Sequence, residues 1–453
     1  MKPSIFLCLL LLAFLAVGIF QFVVPFDTQW DEAVFIGMGK HILSGGEAGL
    51  WEDARPLVLP LFLGFFWKIG LDPVLAGRIL MLLFSVGAIY LTYLVAKEAF
   101  DEKTALLASV LFAFMPTFLF FTNHAMTAIP STFFALAAVY LFLKKKLFLS
   151  GVFAGLAVMT RFFQVFVLIG LYLFILIRDK RLKLSFRPIG LHLSGVLIFL
   201  VPFLAFNLFR YGDPLQPFFR QAYLTATTGW MFSQPFYYYL LELPKENLFL
   251  IFFLAGLVLV LAKRKFSTGA FLLSLVALMF LVPFSIAAHK EMRFALMFLP
   301  YLSMVAAYGI VCSLEKIKLK KTAYALVVLI FILQAGLQYR TDAVNAQISP
   351  FREYVENNSI EGGLWISNPI YIVGSDAKAD NLIYYPTTTT EILSELEPSA
   401  AQHVLINTCD IPCQPWDAAC PAALGGFIER LKSEHRLVFS DTFFACEHYI
   451  FSR

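Results

Sequence analysis

Gln29-Trp30-Asp31-Glu32 stands just beyond an apolar run over residues 4–24, and the two stretches together put the chain in a membrane. An apolar segment of that length is about what crosses a bilayer. Two adjacent carboxylates follow beside a tryptophan, where the chain should leave the lipid. Charge at that depth is costly unless it serves a purpose. A paired acid at the mouth of a membrane protein suits a general base that takes a proton from an incoming hydroxyl. The plainer alternative makes Asp31 and Glu32 the first solvated residues after a span, with Trp30 anchoring the interface.

Composition agrees with the membrane. Of 453 residues, 59% are hydrophobic and 15% charged, whereas soluble chains carry about 25% charge. Fifty Phe and many Leu-rich runs of roughly twenty residues describe a polytopic helical protein. The net charge of +4 hides an asymmetry: residues 346–453 hold six Lys/Arg against fourteen Asp/Glu, which leaves +12 for the rest. The basic residues sit in short turns and not on one face, which argues against nucleic acid as a partner. The first apolar run is too long for a signal peptide. No small-residue cleavage site precedes Pro25-Phe26-Asp27, so a retained first helix is expected.

Apolar segments fall at 4–24, 73–96, 104–121, 129–143, 147–160, 162–178, 190–209, 247–262, 267–284, 294–313 and 322–340. A further run, 56–70, is short and contains Pro56 and Pro60, so it reads as re-entrant or interfacial. With that run lying flat, loops 97–103, 144–146, 178–187, 263–265 and 315–321 share one side and carry seventeen Lys/Arg. That is the positive-inside signature of a cytoplasmic face, and it selects eleven spans. The opposite face receives Asp31, Glu32, Asp53, Arg55, His124, Arg161, Arg210, Asp213, His289, Lys290, Glu291 and Arg293. Polar groups beside apolar grooves suit a substrate that is part lipid and part polar; a merely wet face would also carry charges.

Near residue 346 the composition turns soluble. Gly363–Ser367, His403–Asn407, Arg436–Ser440 and Phe443–Phe451 read as strands, and 388–397 and 421–434 as helices. The expectation is an α-helical polytopic membrane domain over 1–345 and a small extracytoplasmic α/β domain over 346–453. Cys409, Cys413, Cys420 and Cys446 lie in the latter and favour two disulfides with three pairings open; zinc is the alternative, although no CxxC is present. Cys8 and Cys312 read as apolar filler. Asn357-Asn358-Ser359 matches the N-glycosylation sequon.

Four further constellations share the exported face with Asp31-Glu32. Arg55-Pro56-Leu57 puts a cation at the start of the re-entrant run, where a helix N-terminus also favours an anion such as a lipid phosphate. Thr122 to Ser131 includes His124 and ends in Ile129-Pro130-Ser131. Thr160-Arg161-Phe162 holds an Arg in a tight turn. His289-Lys290-Glu291-Met292-Arg293-Phe294 packs three basic groups and one acid, enough to clamp a leaving phosphate, or simply to form a solvated turn with an internal ion pair.

In order and spacing these pieces resemble the GT-C superfamily of membrane glycosyltransferases. Gly155-Leu156-Ala157-Val158-Met159-Thr160-Arg161 is similar to that family's Gly-Leu-Ala…Thr-Lys/Arg helix end, and Tyr211-Gly212-Asp213-Pro214-Leu215 resembles its loop of the same form. The 289–294 hexapeptide resembles the HKExRF loop of glycosyltransferase family 22, and the layout as a whole the protein-mannosyltransferase-like branch. The resemblance spans about residues 1–345. One departure is Ala128, where many relatives carry an Asp before Ile-Pro.

The resemblance implies inverting transfer of a hexose, mannose in the first instance, from a polyprenyl-phosphate donor to a lipid-linked glycan, glycolipid or protein hydroxyl. Asp31 is expected as base and Glu32 as its support. Arg55, Lys290 and Arg293 would bind the donor phosphate, with Arg161 and His289 in lesser parts. No cofactor or metal is expected, in keeping with Ala128. The membrane is the cell membrane, or the endoplasmic reticulum in a eukaryote. A transporter or flippase of a lipid-linked or anionic substrate is the rival, although the spans hold almost no ionisable residues at mid-depth. An inactive homologue is the other alternative.

Overall fold

The structure, a computed structural model, describes residues 3–23, 27–178, 182–226, 229–262, 268–316, 329–330, 333, 336, 348–358, 360, 362–443 and 445–453. These residues pack as two compact units. One is formed by 1–24, 78–219 and 232–341; the other joins 25–77, 220–231 and 342–453.

The first unit is helical. Among the described residues, the helices Pro3–Gln21, Pro73–Ala99, Phe186–Tyr211 and Thr268–Ile286 are long and apolar enough to cross a membrane. Shorter apolar helices cover 128–143, 147–160, 162–177, 248–262 and 299–315. Each coincides with a segment read from the sequence. The segment 104–121 differs: it breaks at Phe114-Met115 into Glu102–Ala113 and Pro116–Phe121, because Pro116 cannot continue the ladder. Of the segment 322–340 only four residues are described, and Ser359 of the sequon lies outside the described residues. Without water to drive them together, membrane helices gain from close backbone approach at small residues. At Gly151, a Cβ would fall 1.9 Å from the carbonyl oxygen of His192, so the helices Leu147–Thr160 and Leu182–Tyr211 meet only because that position is bare.

In the second unit, residues 25–72 are not simply a loop. Trp30–Ser44 is a helix, which the sequence reading did not anticipate. Glu32 occupies its third position and accepts the Gln29 backbone N–H at 3.2 Å, a capping-box arrangement that satisfies an otherwise unpaired donor. Residues 32–40 are buried throughout, so the helix has no solvent stripe and its hydrophobic period is hidden. Val58–Lys68 is the helix within the run 56–70. Eleven residues rise about 16 Å, roughly half the hydrocarbon thickness, so this helix is too short to span. The two helices touch backbone to backbone: a Cβ on Gly64 would lie 2.3 Å from the Gly39 carbonyl oxygen.

The rest of this unit is a five-stranded mixed sheet made of β1 (Leu364–Ile366), β2 (Ala379–Leu382), β3 (His403–Asn407), β4 (Arg436–Phe443) and β5 (Cys446–Ser452), in the order β2-β1-β3-β5-β4. The β2, β1 and β3 strands run parallel; β5 is antiparallel to both β3 and β4. The strand β2 is a further element that the sequence reading lacked. Val404, Ile406, Tyr449 and Phe451 pack with Phe427 and Leu431 of the helix Cys420–Glu434 to form the core. Cys409 pairs with Cys446 and Cys413 with Cys420, fixing the turn after β3 to β5 and to that helix. The sheet also grips the helix Trp30–Ser44. The buried Lys40 ammonium donates to the carbonyls of Val373 at 2.9 Å and Ser375 at 2.6 Å. Gly49 exchanges backbone hydrogen bonds with Ala377 and Ala379, covering the edge beside β2.

Candidate active site

The site residues of the second unit gather at the start of the helix Trp30–Ser44. Asp31 sits in its first turn, where the helix dipole favours a carboxylate. Its Oδ1 accepts a hydrogen bond from Arg55 Nη2 at 2.9 Å. Arg55 Nε donates to Glu52 Oε2, also at 2.9 Å, so one guanidinium edge bridges two acids. Burial alone would make Arg55 easier to deprotonate, but the charges of Asp31 and then Glu52 outweigh it and hold the guanidinium protonated more firmly than usual. Glu52 Oε1 in turn accepts from the Tyr384 hydroxyl at 2.9 Å. The Tyr384 ring lies 5.5 Å from that of Trp30. Glu32 is fully buried, with its Oε2 turned back onto the Gln29 N–H.

Arg55, expected on the donor phosphate, thus stands between Asp31 and Glu52. Glu52 and Tyr384 went unrecognised in the sequence. Glu52 carries a local signal, an acid three residues before an Arg; Tyr384 carries none. Asp53 pairs at 3.7 Å with Arg220.

The first unit holds a second locus. Arg161 donates to Thr127 Oγ1 at 2.9 Å, and its guanidinium lies 5.3 Å from the centre of the Phe294 ring. Arg293 lies 5.5 Å from the same ring, so Phe294 carries two cations on its π system. Glu291 Oε1 is 2.7 Å from Arg293 Nη2 and 2.5 Å from His289 Nε2. His289 stacks on Phe232 with ring centres 4.7 Å apart. Lys290 turns inward: its ammonium donates to the carbonyls of Gln234, at 2.6 Å, and Ala287. Burial eases its deprotonation. The Tyr239 hydroxyl donates to the Glu291 carbonyl at 3.1 Å, tethering the same loop. The locus therefore joins His289 and Arg293 at Glu291, with Arg161 on the shared Phe294 ring and Lys290 turned onto backbone carbonyls, and its cations outnumber its one acid, which suits a phosphate. His124 is buried against Phe120, and Asp213 accepts the Leu215 N–H, so both shape their own turns.

One locus thus presents a carboxylate held at a helix N-terminus, and the other a cluster of cations on a tethered loop. Residues 54–208 match the family model described as dolichyl-phosphate-mannose-protein mannosyltransferase. In fold the chain is similar to ArnT from Cupriavidus metallidurans, solved bound to undecaprenyl phosphate, with a TM-score of 0.71 over 98% of this chain and 97% of that one at 13% identity. It is similar also to the archaeal oligosaccharyltransferase AglB from Archaeoglobus fulgidus, solved with an inhibitory peptide and a dolichol-phosphate. There the TM-score is 0.61, over 88% of this chain and 69% of that one, at 13% identity. No curated protein matches the chain in sequence. Over residues 54–208 the chain thus matches a mannosyltransferase family model, and over nearly its whole length it shares the fold of ArnT.

Proposed function

We propose that the chain transfers a hexose, with mannose the first candidate, from a polyprenyl-phosphate carrier to a hydroxyl of a lipid-linked glycan, glycolipid or protein. The observation that carries this reading is the Asp31 carboxylate, fixed by Arg55 at 2.9 Å in the first turn of a buried helix. The acceptor O–H gives its proton to Asp31 as its oxygen bonds to the anomeric carbon. The bond from that carbon to the phosphate oxygen breaks, the configuration inverts, and polyprenyl phosphate leaves with an added negative charge. Stabilisation of that charge is assigned to cations, for which Arg161, Arg293 and His289 are the candidates and Lys290 a lesser one. Arg55 orients Asp31, and Glu32 holds the helix start beneath it.

Support for the donor class comes from the family description and from the lipid phosphates bound to ArnT and AglB. The reaction is taken as metal-independent, because Ala128 stands in the sequence where many relatives carry an Asp, and a guanidinium already holds Asp31 Oδ1. We place the second unit on the extracytoplasmic side of a cell membrane, since the short basic connections mark the opposite face.

The test uses purified protein, radiolabelled polyprenyl-phosphate mannose and a mixed lipid-glycan acceptor extract, with Asp31→Asn and EDTA run in parallel. Transfer that resists EDTA and disappears in a folded Asp31→Asn variant is the expected result. An active Asp31→Asn enzyme removes the assignment of the base.

A further inference from the structure

We propose that Glu52 and Tyr384 are positioning residues of this enzyme, through which the sheet domain sets the orientation of Asp31. The inference rests on Asp31 as the base. Its physical content is a chain of three hydrogen bonds, each 2.9 Å long: Tyr384 Oη to Glu52 Oε1, Arg55 Nε to Glu52 Oε2, and Arg55 Nη2 to Asp31 Oδ1. Each oxygen of Glu52 has its own donor, so the carboxylate cannot rotate without breaking a bond. Arg55 is held in the same way, with two nitrogens on two different acids. Planar groups joined at two points transmit orientation as well as charge.

The outer end of the chain is rigid. Tyr384 lies two residues beyond β2, and the intervening Ile383 N–H bonds to the Ile366 carbonyl of β1 at 2.9 Å. Its own N–H goes to Thr387 Oγ1 at 2.9 Å, and its carbonyl accepts the hydroxyls of Thr387 and Thr388. The run Pro386-Thr387-Thr388 therefore locks the tyrosine backbone into a turn. Burial, and then the Glu52 charge, push the Tyr384 phenol well above its ordinary range, so it stays a donor at any working pH. Tyr384 also touches the ring of Trp30, the residue before Asp31, so it braces the helix start at two points. A bare need to neutralise Arg55 would be met by Asp31 and Glu52 alone; the hydroxyl adds only geometry.

The experiment compares Tyr384→Phe, Glu52→Gln and the double variant with wild type in the full chain. Steady-state transfer and amide hydrogen exchange are both measured. Expected for Tyr384→Phe is a fall in kcat of about ten- to a hundredfold with both KM values unchanged, the size of loss that a misplaced reacting group causes. The double variant should be no worse than Glu52→Gln alone, since both act through one path. Exchange should quicken over residues 30–34 and 52–56 while β1 and β3 stay protected. A wild-type kcat in Tyr384→Phe, additive losses, or exchange that rises across the whole sheet would overturn the proposal. If wild type transfers no sugar from any donor, the assignment of function fails, and the exchange data alone then decide whether the relay exists.

Discussion

Replacing Arg55 by Met removes the cation between Asp31 and Glu52, two largely buried carboxylates. The size of the effect follows from the geometry. Unit charges about 4 Å apart at an effective dielectric near 20 attract by ~4 kcal/mol. The side chains of Arg55 and Asp31 are 18% and 14% exposed, and Glu52 competes for the same guanidinium, so roughly half of that reaches Asp31. A loss of ~2 kcal/mol in favour of ionised Asp31 is worth roughly thirtyfold in an equilibrium. A base must be ionised to act, so activity is lost as pH falls through its pKa. Withdrawing the cation removes that support, and the acid limb of kcat against pH should move to higher pH. The assay is transfer by detergent-solubilised enzyme at saturating donor and acceptor across the pH range, with circular dichroism confirming the fold. A variant with an unmoved acid limb, an intact kcat and a raised donor KM would refute the reasoning, and would put Arg55 on the donor phosphate instead.

Other consequences follow from the same geometry. Gly64→Val places a Cβ against the Gly39 carbonyl and forces the two short helices apart; overpacking costs about 1–3 kcal/mol, seen as a lower midpoint in thermal unfolding and a loss of transfer. Arg161→Met should raise the donor KM about tenfold or more with a smaller effect on kcat, because a hydrogen bond to a charged group contributes about 1.5–3 kcal/mol. Asp410 is raised from 3.8 to about 6, by burial first, against hydrogen bonds from Asn368, Ser367 and Tyr371. The folded state then holds a proton that the unfolded chain has released. Stability of the sheet domain should therefore fall by up to ~3 kcal/mol as pH rises from about 4 to about 6, and level off above. Asp410→Asn should abolish that slope in melting curves taken across the window.

The membrane helices were legible in the sequence because apolar runs of span length suit little besides a bilayer. Asp31-Glu32 was legible by adjacency, and the 289–294 loop by its density of charge. The helix Trp30–Ser44 was not, since burial on every side erases the polar stripe that reveals a helix, although Gln29 and Glu32 at capping spacing offered a cue. The strand β2 reads Ala-Asp-Asn-Leu, which lacks alternation, and its residues are half-buried or exposed. Tyr384 lies 332 residues beyond Glu52, and no local pattern connects positions so distant. Two cations sharing Phe294 were likewise invisible, because an Arg in one turn and a Phe in another gain meaning only when the helices place them together.

The grip of Lys40 on the carbonyls of Val373 and Ser375 closes a loop of 333 to 335 residues. A ribosome adding about 5–20 residues per second needs roughly 17 to 67 s to supply the second half of that contact after the first has emerged. Throughout that interval Asp31, Arg55 and Glu52 have all been made, and Glu52 waits for Tyr384. On the proposed relay, the nascent chain therefore holds Asp31 long before its outer support exists. The last hydrogen bond of that chain forms late in translation, with the sheet.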